Sequence, residues 1–156
     1  MNLENIIYTI KVILIIFLLF RFIPKYEIRK ANVAYLFTLI ITWPMGLIVA
    51  NYKLIEYPIR LFTYANKANF LFEYFYLPAI CALFVVNYPE KKGVLARFRY
   101  YFYYCTILTI CEVIEERYIS VLTYMHWSWL ITWITLFITF YMATKYNLWF
   151  FKKPRY

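Results

Sequence analysis

Glu112, Glu115 and Glu116 sit close together inside an apolar stretch of this sequence. At helical spacing, Glu115 and Glu116 stand three and four residues beyond Glu112, so the three side chains share a face. Carboxylates grouped this way can bind a cation, carry a proton or serve as acid and base. Lys11, Glu73 and His126 also interrupt or border apolar stretches. A carboxylate turned toward hydrocarbon costs several kcal/mol unless it is protonated, so inward-facing positions are expected for these groups.

Other chemistries fit poorly. Aspartate and glutamine are absent, and the only serines are Ser120 and Ser128, which disfavours a Ser/His/Asp hydrolase. Cys/His nucleophilic catalysis would have to bring Cys105 or Cys111 to His126 from a different depth. No HExxH, paired histidine or ladder of acidic ligands accompanies the glutamates, so neither a metal nor a cofactor is specified. Cys81, Cys105 and Cys111 are odd in number, lack CxxC spacing and lie in apolar stretches. They read as small buried fillers that form no disulfide.

The elements that must hold these residues are apolar to an unusual degree. Apolar and aromatic residues make up 65% of the 156 residues, charged residues only 16%, and there are two glycines. A soluble domain is about half apolar and about a quarter charged. Disordered chains, disulfide scaffolds and glycine-rich nucleotide folds are excluded, and lipid is the expected solvent. The sequence predicts an all-α integral membrane bundle of five transmembrane helices, one domain over residues 1–156. The helices are expected near 6–23, 33–52, 70–88, 100–122 and 127–147. The opening residues carry an acid and no base, and no small-residue cleavage site follows Phe20, so the first segment reads as a retained helix. Pro44 and Pro78 fall inside spans, where kinks are expected.

Charge on the connections supports the five-span count. Arg21, Lys25, Arg29, Lys30, Lys91, Lys92, Arg97, Arg99, Lys145, Lys152, Lys153 and Arg155, 12 of the 17 basic residues, fall on one side. Lys11, Lys53, Arg60, Lys67 and Arg117 fall on the other. The positive-inside rule then puts the N-terminus outside and the C-terminus in the cytoplasm. Insertion and anionic inner-leaflet lipid account for the net charge of +9 without nucleic acid. The 53–69 connection is too apolar for a plain loop. Pro58 is expected to open a short interfacial helix, with Leu54, Tyr57, Leu61 and Tyr64 on one side.

This topology gathers Lys11, Glu73, Glu112, Glu115, Glu116 and His126 into a polar layer in the outer half. Glu112 lies about 18 Å along its helix and is expected to be the deepest of the acids. Structural pairings such as Glu112–Lys11 or Glu116–Arg117 are the plainer account of the layer. An outward-facing cation or proton site is the sharper one. Aromatic clusters at 74–78, 99–105 and 127–129 read as interfacial belts and interhelical packing rather than a pigment or lipid cage. Scarce glycine removes GxxxG-type close packing.

The pattern FEYFYLPAICALFVVNYP, then CEVIEERYISVLTYMHWSW, then a final apolar helix ending KYNLWFF, resembles a family of small multi-pass membrane proteins of spore-forming Bacillus- and Clostridium-type bacteria. Tyr76, Pro78, Asn87 or Tyr88, Pro89, Glu112, Tyr124 and Trp127 occupy the matching positions, all in the C-terminal half. The molecular function of that family is uncharacterised, so the resemblance implies a cell or spore membrane location and no reaction. Three classes of function follow. A non-enzymatic membrane component or small subunit leads, because no residue constellation meets the needs of a reaction. A proton or cation transporter or channel using the glutamate layer is the first alternative. An intramembrane enzyme or lipid/isoprenoid-binding protein is the second. The expected partners are the bilayer and other proteins of a membrane complex.

Overall fold

The computed structural model describes residues 3–58, 67–119 and 121–152. These form five α-helices: α1 (Leu3–Phe22), α2 (Ile28–Asn51), α3 (Leu77–Val86), α4 (Val94–Ile114) and α5 (Trp129–Phe150). The described residues are therefore helical in class, with a two-residue antiparallel ladder of β1 (Ile55–Glu56) with β2 (Thr123–Tyr124). α3 packs against α1, α2 and α5, and α4 packs against α5. The ladder closes one end of the bundle, called the ladder end below. The α1–α2 and α3–α4 turns close the opposite, turn end.

Several boundaries differ from the sequence reading. α4 begins at Val94, taking in Arg97 and Arg99, and α5 runs on to Phe150. Arginine and lysine are good helix formers, so a helix continues past the point where its apolar pattern ends. α2 ends instead at a backbone cap. Lys53 adopts φ 53°, its N–H bonds Ala50 O (3.2 Å), and the Leu54 N–H bonds Val49 O (3.0 Å). This reversal carries a lysine where glycine is the usual choice. Leu54 to Tyr57 then run extended into the ladder, so no helix forms on the Leu54–Tyr57 side of Pro58. Residues 59–66, with the rest of the expected interfacial helix, lie outside the described residues.

Among the described residues one stretch, Lys25–Asn51, is by itself long and apolar enough to cross a membrane. Phe72–Val86 is apolar but shorter. Yet the distribution of side chains is shared by the whole bundle. Thr38, Thr42, Glu73, Thr132, Thr144 and Asn147 are buried, while Ile13, Phe17, Ile40, Ile107 and Ile138 are exposed. Many threonines bond within their own helix, as Thr38 and Thr144 do to the carbonyls of Ala34 and Phe140 (each 2.8 Å).

The turn-end half is packed around Phe84. Its ring stacks on Phe140 with centroids 4.6 Å apart and touches Tyr100, Tyr101 and Tyr104 at 4.7, 4.9 and 5.0 Å. Offset and edge contacts of this kind add to ordinary packing. Cys81 and Cys105 are fully buried in the same cluster, as small fillers should be. Cys111 is exposed, lining an open cleft together with Lys11 and Glu115. At the far end, buried Asn147 donates to Lys30 O (3.1 Å) and ties α5 to the start of α2.

Candidate functional site: an acid chamber at the ladder end

Pro78 shapes the chain around Glu73. A proline has no N–H and cannot continue the helical ladder behind it. The preceding residues Phe72–Tyr76 form a wide π-helical turn, closed by the Leu77 N–H on Phe72 O. The carbonyls of Glu73 and Tyr74, which a residue at position 78 would normally serve, take hydroxyl donors from α2 instead. Thr42 donates to Glu73 O and Tyr35 to Tyr74 O, both at 2.8 Å. Such π turns often mark functional sites. Asn69 opens the segment, its Oδ1 accepting from the Phe72 N–H (3.3 Å) while its amide donates to the Tyr8 hydroxyl (3.2 Å).

This turn directs Glu73 into the bundle, where it is only 7% exposed. Gly46 on α2 leaves the space for it. A Cβ at Gly46 would stand 2.5 Å from the Glu73 carboxyl carbon, whereas one at Gly93 would meet nothing within 4 Å. One of the two glycines is thus required by the close approach of the buried acid.

Glu112 reaches the same space from α4. Its Oε1 accepts from the Tyr124 and Thr132 hydroxyls, both at 2.7 Å. Thr132 in turn accepts from the Trp127 indole N–H (2.8 Å), which fixes the direction of its own proton. Ser128 caps α5 through the Ile131 N–H (3.5 Å) and so sets the first turn that carries Thr132. Burial first, and then the Glu112 carboxylate, hold the Tyr124 phenol above its usual range, so it remains a donor. The buried Tyr57 phenol is raised as well, by burial and by the nearby charges of Glu73 and Glu112.

Lys11 pairs with Glu115, so the cation expected near Glu112 goes to its neighbour one turn on. Glu116 is half-buried near Tyr124, and the His126 side chain is exposed. The ladder still holds the His126 backbone, whose N–H bonds Leu54 O (3.1 Å). Of the six layer residues, Glu73, Glu112 and Glu115 border one chamber, Lys11 pairs with Glu115 at its side, Glu116 flanks it and His126 stands outside. Glu73, rather than Glu112, is the most buried acid. Thr42, Gly46, Tyr57, Asn69 and Thr132 are site residues that periodicity did not single out. An isolated glycine opposite a proline-bounded FEYFYLP segment was the available signal.

The chamber, open to one side, holds about 550 Å³ and is bordered by Thr42, Tyr57, Asn69, Glu73, Glu112, Glu115 and Thr132. No Lys, Arg or His among the described residues lines it. Nor do three His, Cys, Asp or Glu side chains among them converge as a metal site would need. Comparison with protein-family models, curated proteins and solved structures finds no match.

Proposed function

We propose that the chain is an integral protein of the cell membrane that crosses the bilayer five times, with its ladder end outside and its C-terminus in the cytoplasm. The observation that carries this is the broad apolar surface of the helices, with Ile13, Phe17, Phe20, Ile40, Ile107 and Ile138 exposed, while Thr42, Glu73, Thr132 and Asn147 join the buried core. Water penalises so extensive an apolar surface, whereas lipid favours it. The basic turn end agrees with a cytoplasmic face, since Arg21, Lys25, Arg29, Lys30, Lys91 and Lys92 cluster around its two connections. α4 keeps its acids at the ladder end, where each has a partner or headgroup water. The resemblance to the spore-former membrane family supports the same class.

In this reading the protein is a non-enzymatic membrane component. Glu73 and Glu112 in a chamber without a described basic residue favour a second reading within it, in which the chamber takes up a cation or proton. Two carboxylates in a dry site cannot both remain charged without one. Washing membranes from expressing cells with alkaline carbonate tests the proposal. The chain is expected to stay in the pellet until detergent is added, and its release by carbonate alone would overturn the reading.

A further inference from the structure

We propose that the acid chamber binds an amphipathic organic monocation, a protonated amine carried on an apolar body, which enters from the lipid side between α2 and α5. The inference rests on the membrane reading above and names the occupant of its chamber. Size comes first. At about 550 Å³ the chamber matches sites for small organic molecules and far exceeds the room one desolvated metal ion occupies. A calcium site would need six or more oxygens around one point, and no three acidic, His or Cys side chains among the described residues converge as metal ligands.

The remaining wall is apolar. Leu77, Leu122 and Leu136 line it, as does Trp127, the aromatic side chain that attracts ammonium groups best. The charge of the occupant follows from the acids. Glu73 is more than nine-tenths buried and borders the chamber, while the neighbouring lysine is engaged by Glu115. Glu112 already accepts two hydroxyl bonds, which leaves Glu73 the acid better placed to take the ammonium.

The route follows from the mouth. Ile40, Met45, Ile138 and Met142 border the opening, and all four are exposed on the flank of the bundle. That flank faces hydrocarbon in the five-span reading. A hydrophilic ion would have to cross lipid to reach it, whereas an amphipathic amine partitions into the bilayer and arrives from the side. Flexible methionines suit a mouth that must repack around varied apolar bodies.

The test uses the full chain in lipid nanodiscs, with empty nanodiscs as the blank for partitioning. Phenethylamine is expected to bind and to raise the unfolding temperature, and phenethyl alcohol, of like shape but neutral, is expected to do neither. Glu73→Gln should lower amine affinity about tenfold, the value of one charge-assisted bond. Glu112→Gln should also weaken binding, which keeps the test decisive if Glu73→Gln fails to fold. Glu56→Gln, an exposed acid away from the chamber, should bind as wild type does. Equal stabilisation by the alcohol, or amine affinity unchanged in both chamber variants, would overturn the inference. Stabilisation by sodium or calcium chloride with none by phenethylamine would also overturn it, while leaving the cation-chamber reading in place. Release of the chain by carbonate would instead remove the membrane reading itself.

Discussion

Glu73 and Phe84 are both buried on the same helical segment, yet their surroundings are made of opposite materials. Around Phe84 the space is filled by five further aromatic rings and two buried cysteines. Around Glu73 it is left open, bordered by hydroxyls, an amide and two further carboxylates. The helix itself marks the change. After Pro78 it is regular and dry, and before Pro78 it is a π turn whose carbonyls borrow donors from α2. Packing determines one half and hydrogen bonding the other. The first half should therefore answer to volume and the second to polarity.

Substitutions can break that contrast. The largest loss is expected from Phe84→Ala, which removes a fully buried ring and should cost about 3 kcal/mol of stability. Reversible unfolding in mixed micelles would read it, and amine binding in nanodiscs should persist in the fraction that folds. A loss of stability no greater than that of an exposed Phe20→Ala would deny the turn-end half its role as the packed core.

Gly46→Ala comes next. Its new methyl group would collide with the Glu73 carboxyl and should destabilise by about 1–3 kcal/mol while displacing the acid. Gly93→Ala, with open space around it, should match wild type. Equal behaviour of the two variants would mean that Glu73 does not lie against α2.

Glu112 gives a chemical comparison of smaller size. Glu112→Gln keeps an oxygen for the Tyr124 and Thr132 hydroxyls and should fold nearly as well as wild type. Glu112→Leu strands both donors and should cost about 1–3 kcal/mol. Identical unfolding curves for the two would show that the hydroxyl bonds hold nothing in place. Thr42→Val, which removes a single donor from the Glu73 carbonyl, should cost about 1 kcal/mol in the same assay.

The helices were legible in the sequence because an apolar stretch bounded by charge is a strong signal, and the all-helical class followed from it. The acids stood out too, since glutamates in such stretches are rare. Which acid lies deepest was not. Depth was counted along one helix, whereas the burial of Glu73 depends on the absent side chain of Gly46 across from it. The ladder escaped notice because two-residue strands carry no periodicity, and Lys53 offers no glycine to announce the reversal before β1. Lys11 found Glu115 rather than Glu112 because Tyr124 and Thr132 already occupy the latter, and pairing across helices is invisible to spacing within one.

The account stands most directly on which end of the bundle faces out. Lys67 and Lys91 are both exposed, the first at the ladder end and the second at the turn end. Lys67→Cys and Lys91→Cys, each probed on intact cells with a membrane-impermeant maleimide against the parent chain as blank, decide it. Labelling of Lys67→Cys, with Lys91→Cys labelled only after the cells are opened, is the predicted result. Labelling of Lys91→Cys on intact cells, or protection of Lys67→Cys, would contradict an outward-facing acid chamber.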